Sequence, residues 1–373
     1  MKSTTGKNIS TRLGPFVNIR TGKLDANANN PNGDYPFFTC SRETLKIDHY
    51  AYDCECVLVA GNGDLNAKYY KGKFNAYQRT YIIESKDYEV LDVRYLYRFM
   101  DMYVEKLRSG SIGGVIKYIR LSHLTDIKIP LPPLPEQKRI AAILDKADAV
   151  RCKRQRAIQL ADEFLRSVFL DMFGDSVRNP KNFEIKKLGN LLKYLTSGSR
   201  GWAKYYSKTG AKFIRIQNVR KNELSLENLA YVNAPASAEA NRTKVRTGDI
   251  LLSITADLGR TGVVPSDIGE AYINQHLAIL RVSSAEPIYI STFLASKGGE
   301  LQIQRLNRQG VKSGLNFEDI RSLDILAPPI RLQTKFVQVW TEIQQMKTKI
   351  IDFIHQSDIN FKSLSFQAFR GEL

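Results

Sequence analysis

Cysteine, histidine and tryptophan are scarce in this 373-residue chain, at four, four and two residues. The cysteines are Cys40, Cys54, Cys56 and Cys152, and Cys54-Glu-Cys56 has neither the Cys-x-x-Cys spacing nor the histidines that would complete a metal site. Ordinary reduced thiols are the expectation. No apolar run approaches the roughly 20 residues of a membrane-spanning helix, and no apolar signal core follows Met1-Lys2-Ser3. A soluble, cytoplasmic chain without a membrane partner is expected. Catalytic signatures are missing too. There is no Walker lysine loop and no dinucleotide-type glycine loop for a methyl donor. Asn179-Pro180-Lys181 lacks the second proline and the aromatic of an amino-methyltransferase loop. Asp267, Glu270 and Lys297 are too scattered for a nuclease signature. The chain is expected to hold no catalytic residue, no cofactor and no metal.

Basic residues, by contrast, are plentiful. The formal net charge is +17 and the isoelectric point is about 9.6, so the surface attracts a polyanion, nucleic acid first among the candidates. An apolar fraction of 43% supplies real cores, and this length ordinarily holds two or three domains.

The chain is organised around Pro130-Leu-Pro-Pro-Leu-Pro-Glu-Gln-Lys-Arg-Ile140. Pro135 suits the first helical position, where its missing N–H costs nothing, and Glu136 lies where the helix dipole favours negative charge. Apolar or small residues then recur at steps of three and four, at Ile140, Ile143, Ala147, Val150, Ala157, Ala161, Phe164 and Val168, with only Arg154 breaking the row, which is the seam of a coiled coil. The unit returns 196 residues later: Pro328-Pro329 repeats Pro132-Pro133, Gln333 matches Gln137, and Phe336 matches Ile140. The second seam reads Phe336, Val339, Ile343, Met346, Ile350, Phe353, Ser357, Asn360 and Leu364. Its exit repeats as well, since Phe169-Leu-Asp-Met-Phe-Gly174-Asp175 resembles Phe366-Gln-Ala-Phe369-Arg-Gly371-Glu372. The chain is thus a tandem duplication of a large unit.

Residues 1–135 read as a strand-rich first domain, with short apolar alternation over Leu13–Gly22, further strands at Tyr35–Thr39, Cys56–Ala60 and Tyr81–Ile83 and a helical face from Tyr88 to Arg108. Residues 136–175 form the first long helix, 176–330 a second strand-rich domain and 331–373 the second long helix. The domain entry is duplicated: Leu188-Gly189 to Gly198 parallels Leu13-Gly14 to Gly22. Asn274-Gln275-His276 stands where Tyr77-Gln78-Arg79 stood, and Gly310-Val311 matches Gly114-Val115. The frame is shared while the polar residues differ.

Those polar residues are the candidate binders. In Lys68-Tyr69-Tyr70-Lys71-Gly-Lys73 to Tyr77-Gln78-Arg79, cations alternate with aromatics and amides; Lys and Arg suit phosphates, Gln and Arg suit base edges. A reading loop and a solvated hairpin with aromatics facing the core both fit this stretch. The second domain offers Arg200, Trp202, Lys204 and Tyr205, then Arg215, Gln217, Asn218 and Arg220, then Gln275 and His276, and finally Arg308, Lys312 and Ser313. His49 and His123 are isolated.

Two strand-rich domains, each followed by a helix with a proline-rich entry, resemble a type I restriction-modification specificity subunit. Pro132 to Ala141, the Phe169 to Asp175 exit, the Pro328-Pro329 echo and Phe369-Arg-Gly-Glu-Leu373 carry the resemblance. Arg331-Leu332 stands where Pro135-Glu136 stood, a departure at the second entry. The resemblance implies an α+β fold with two target recognition domains separated by two long helices pairing as an antiparallel coiled coil. It also implies a non-catalytic subunit reading a bipartite sequence in double-stranded DNA. Partners would be two methyltransferase subunits and the motor-nuclease restriction subunits, which would carry the S-adenosylmethionine, ATP and Mg. Independently, two like copies related by a pseudo-two-fold axis place their helices antiparallel. A helix of about 35 residues at about 1.5 Å each spans roughly 50 Å, longer than the 34–36 Å of one DNA turn. Half-site centres about one turn apart follow, and a heptad inserted in each helix is expected to lengthen the unspecified gap. The competing readings are a stand-alone DNA-modifying enzyme and a coiled-coil adaptor without sequence-specific DNA binding.

Overall fold

The computed structural model describes residues 10–113, 117–307 and 314–373. The matched Gly114 and Gly310 stretches lie outside them. The described chain divides into two compact units, residues 1–157 with 350–373, and residues 158–349.

The first unit is built on six strands, β1 (Val17–Thr21), β2 (Tyr35–Phe38), β3 (Leu45–Ile47), β4 (Tyr52–Ala60), β5 (Ala67–Ala76) and β6 (Thr80–Ser85). They form one sheet in the order β1-β6-β4-β5-β2-β3, antiparallel except where β2 runs parallel to β5. Alternation along β4 divides the side chains between two faces. Val57 and Val59 join Ile83 against helix α1 (Val93–Ser109), while Cys56 and Leu58 join Phe38, Tyr52, Phe74 and Ile82 on the other side. Asp92 caps α1 by accepting from the Tyr95 N–H at 2.8 Å. Tyr95, Leu96 and Phe99 are buried along the face that the helical periodicity predicted, and Met100 is buried beside them.

Helix α2 (Leu134–Phe173) carries Pro135 in its first turn. Its early residues Ile140, Ala141 and Leu144 enter the same core as Ala368 and Phe369. Those last two belong to the final helix (Ile330–Arg370). Within the first unit the two helix segments are antiparallel. Arg139 donates to the Leu373 carbonyl, Arg151 faces Asp358 and Arg154 bonds Ser357 and the Phe353 carbonyl.

The second unit repeats the plan. Strands β7 (Leu192–Ser197), β8 (Ala211–Ile214), β9 (Ala230–Val232), β10 (Ile250–Ser253), β11 (Thr261–Val263), β12 (Ala271–Ile273) and β13 (Leu277–Val282) precede α3 (Pro287–Ala295) and α4 (Lys297–Leu306); the last helix is α5. One sheet runs β7-β13-β10-β11, which matches β1-β6-β4-β5, and β8 pairs parallel with β12 as β2 does with β5. The single ten-residue strand β5 therefore corresponds to β11 and β12 together. Pro265 follows the first of these by two residues, and a residue without an N–H ends a ladder.

The helix entries also match, in every bond but one. Gln137 is completely buried: its Oε1 accepts from the Asp92 N–H at 3.0 Å, and its Nε2 donates to the Val90 and Pro132 carbonyls at 2.8 Å each. Gln333 accepts from the Glu286 N–H at 3.0 Å and donates to the Pro328 carbonyl at 2.8 Å. Tyr95 and Tyr289 donate their hydroxyls to the Pro130 and Leu326 carbonyls, both at 2.8 Å. Phe369 packs on Tyr95 in one unit and Phe173 on Tyr289 in the other.

The seam differs from a plain heptad row. Ile140, Phe336 and Ile343 are buried, and Ile143, Ala147, Val339 and Ile350 are half-buried. Val150 and Met346, however, stay 47% and 48% exposed. A heptad row assumes one partner, whereas α2 in the first unit meets both the α5 segment and the domain core. Burial consequently shifts to Ala141 and Leu144, and the stretch around Arg151 and Arg154 pairs through polar groups. In the second unit Ala161, Leu165 and Ile343 form the contact, flanked by Lys347 and Asp162 at 2.6 Å.

Candidate nucleic-acid interface

The stretch Lys68 to Arg79 is neither one loop nor a simple hairpin. Residues 67–76 are β5, and Tyr77-Gln78-Arg79 form the turn into β6. Alternation along β5 separates the candidate cations. Lys68 points to the face of Phe38 and donates to the Ser41 carbonyl at 2.6 Å; burial holds its ammonium below the usual lysine range. Tyr69, Lys71 and Lys73 lie on the opposite face. The Tyr69 hydroxyl donates to Glu55 at 2.8 Å, and burial with that bond pushes its pKa up to about 12. Lys71 pairs with Glu55 at 3.0 Å while staying largely exposed, and Lys73 covers the Tyr50 ring. Lys68 and Tyr69 thus hold the domain together, while Lys71 and Lys73 remain open to a polyanion.

The turn itself is fixed through its backbone. Thr80 N–H donates to the Tyr77 carbonyl and Gln78 N–H to the Leu24 carbonyl, each at 2.8 Å, and the Arg79 carbonyl accepts from Gly61 N–H at 2.8 Å. Gly22 lies against it so closely that a Cβ there would sit 2.1 Å from the Ala76 oxygen and 2.4 Å from the Tyr77 oxygen. With the main chain engaged inward, Gln78 and Arg79 are exposed and Tyr77 half-buried.

The second unit holds Asn274-Gln275-His276 in the same way. Leu277 N–H donates to the Asn274 carbonyl at 3.2 Å, Asn274 N–H to Ile214, and Ile254 N–H to the His276 carbonyl at 3.0 Å. Gly198 takes the role of Gly22, with a Cβ position 2.0 Å from the Asn274 oxygen. Exposed cations follow each glycine, Lys23 in the first unit and Arg200 in the second. Lys23 escaped the sequence reading because it lies apart from any basic run; its signal is the step past the matched glycine.

The other candidates divide. Trp202 is 6% exposed and stacks among Phe213 and Tyr272, with its Nε1 donating to Ser199. It is a core residue: its large apolar area is worth more inside the small sheet than at a wet surface. Asn218 is 2% exposed and accepts from the Arg215 N–H, capping a short helical turn. Arg215 donates to the Asn228 carbonyl, and Arg220 lies near Glu223 and Glu227. Lys204 covers the Tyr205 ring, and Lys204 and Gln217 are exposed. Arg308, Lys312 and Ser313 lie outside the described residues. Among those residues, no three His, Cys, Asp or Glu side chains gather as a metal site. Glu270 pairs with Lys244 and Tyr272, and Lys297 with Glu300, so the scattered carboxylates converge on nothing.

A family model described as the type I restriction modification DNA specificity domain matches residues 9–161. The EcoDI specificity subunit of Escherichia coli is 38% identical over 163 residues, 43% of this chain and 36% of that protein. The EcoBI specificity subunit of the same species is 24% identical over 356 residues, 86% of this chain and 74% of that protein. Residues 9–161 thus carry a type I restriction modification DNA specificity domain, and most of the chain is similar to type I specificity subunits. Its fold is that of solved type I S subunits. The type I S subunit from M. genitalium aligns with TM-score 0.63 at 15% identity, over 99% of this chain and 98% of that one. A chain from a study of type I R-M complex assembly aligns with TM-score 0.55 at 17% identity, over 98% of each. The EcoDI match thus spans about a third of that relative, 36% of its length. The α+β architecture with its long helices stands as expected, and no helix among the described residues is long and apolar enough to cross a membrane.

Proposed function

We propose that this chain is the non-catalytic specificity subunit of a type I restriction-modification complex, each domain reading one half of a bipartite sequence in double-stranded DNA. The observation that carries this is the repeated turn. Two units hold the same backbone against the same glycine, yet present Gln78 and Arg79 in one and Gln275 and His276 in the other. Gln78 and Arg79 are exposed, and Gln275 and His276 half-buried; a scaffold kept constant while the side chains of its turn change is what two readers of different half-sites require. Exposed Lys23, Lys71, Lys73, Arg200 and Lys204 would hold phosphates and set register, contributing affinity without sequence information. The net charge of +17 favours the same partner.

The long helices would dock two methyltransferase subunits, with restriction subunits joining them. S-adenosylmethionine, ATP and Mg would be bound by those partners, and the chain would act in the cytoplasm. The test is modified-base sequencing of DNA from cells expressing this chain with its methyltransferase subunit, against cells expressing the methyltransferase alone. A split motif present only with the chain supports the reading. A stable complex that leaves no motif refutes it and favours a coiled-coil adaptor.

A further inference from the structure

The two matched turns differ in how the residue after each glutamine is held, and this bears on which base each accepts. The inference rests on the DNA-reading function proposed above. Gln78 is followed by Arg79, which is exposed. Gln275 is followed by His276, whose ring is held at both nitrogens: Nδ1 lies 2.6 Å from Thr255 Oγ1 and Nε2 lies 3.0 Å from Gln275 Nε2. The His276 carbonyl accepts from Ile254 N–H at 3.0 Å and its N–H donates to Asn274 Oδ1 at 3.3 Å, so backbone and ring are fixed together.

This arrangement orients an amide. The Gln275 NH2 lies on the ring's Nε2 and can only donate, so Nε2 carries the lone pair and the ring proton sits on Nδ1, directed at Thr255. One amide hydrogen is then spent on the ring. The carbonyl oxygen and the second amide hydrogen remain as an acceptor and a donor side by side. Adenine presents the complement in the major groove, an N6 amino donor beside the N7 acceptor, whereas guanine presents two acceptors there. In the first unit, Gln78 stands beside the exposed guanidinium of Arg79, whose paired donors suit guanine instead.

We propose that Gln275 reads an adenine in the second domain's half-site, and that His276 and Thr255 are positioning residues that hold its amide in the adenine-reading orientation. The test uses the full chain with its methyltransferase subunit in cells, with modified-base sequencing as the readout. The wild-type motif should contain a required adenine that Q275A relaxes, the other bases there gaining about fivefold to a hundredfold relative to adenine. H276F and T255V should relax that same position, because the amide is then free to turn over. The other half of the motif should be unchanged in all three, a result that loss of fold would not produce, and T255V retains the imidazole while removing only the contact at its Nδ1.

The proposal is overturned if the position relaxed by Q275A is not an adenine, if Q275A relaxes none, or if T255V leaves that position as strict as wild type. These outcomes leave the wild-type split motif standing and so spare the specificity-subunit reading. Absence of any wild-type motif removes both.

Discussion

Replacing the buried Gln137 should destabilise the first unit in a way that depends on pH. Q137A leaves the Asp92 N–H and the Val90 and Pro132 carbonyls without their side-chain partner. At about 1–3 kcal/mol for each unmet buried group, and with carbonyls keeping a second lone pair, the loss is about 3–5 kcal/mol. Q137E is the more informative change, because its second oxygen then faces two carbonyl oxygens and needs a proton to bond either. Burial against acceptors raises the folded-state pKa of that carboxyl above its unfolded value of about 4.3. A raised folded pKa means stability is fully present below the unfolded value and is lost as pH rises through the folded one. The slope is about 1.4 kcal/mol per pH unit across that window. Urea unfolding read by pulse proteolysis, with fragments assigned to each unit, measures this at pH 4 and pH 7.5. Q137E should hold up at the lower pH and fail at the higher, with the second unit unaffected. A Q137E chain as stable as wild type at pH 7.5 would refute the reasoning.

Further expectations follow from other contacts. Q333A should cost about 1 kcal/mol less than Q137A, since Gln333 makes one donor bond where Gln137 makes two; the same unfolding assay compares them. G22A places a methyl group against main-chain oxygens of the turn and should relax the first half-site selectively, whereas G110A, at a negative φ and with its first contact at 3.6 Å, should leave the motif intact. D249A should destabilise the second unit by about 3–5 kcal/mol in thermal or urea unfolding, because it strands Arg281, now paired at 2.6 and 2.7 Å. K71M should raise the Glu55 titration followed by carboxyl-carbon NMR. Burial alone pushes that carboxyl up, but the bonds from Lys71 and Tyr69 bring it below its usual range. Finally, removing Lys23 or Arg200 should weaken binding to all DNA sequences alike and flatten the salt dependence by about one counterion.

The helical repeat was legible because its signals are local and doubled: a proline pair, a glutamine five residues later and an aromatic or aliphatic seam. The sequence did not reveal what the glutamine does, since its three partners come from a loop 45 and 47 residues earlier as well as from its own helix entry. The strands of the first unit were visible from alternation, but Lys68 to Ala76 was ambiguous. Its cation-aromatic alternation has the period of a strand as much as the composition of a binding loop. Trp202 was misplaced for a related reason, as a basic neighbourhood describes the chain around it and says nothing of the direction of its indole. Gln275 and His276 were found by their place in the repeat, while the Thr255 contact that fixes the ring joins two residues 21 positions apart, each just outside a strand.

The first unit is discontinuous, with residues 350–373 completing a core begun by residues 1–157, whereas the second is one continuous segment, residues 158–349. Synthesis therefore sets an order of completion. At roughly 5–20 residues per second, the first domain waits some ten seconds or more on the ribosome before Ala368 and Phe369 arrive to fill its core. The domain made first is the last to be finished, and its apolar socket stays open to chaperones and proteases meanwhile. Losing residues 350–373 should thus deplete the first unit while the second, residues 158–349, still folds.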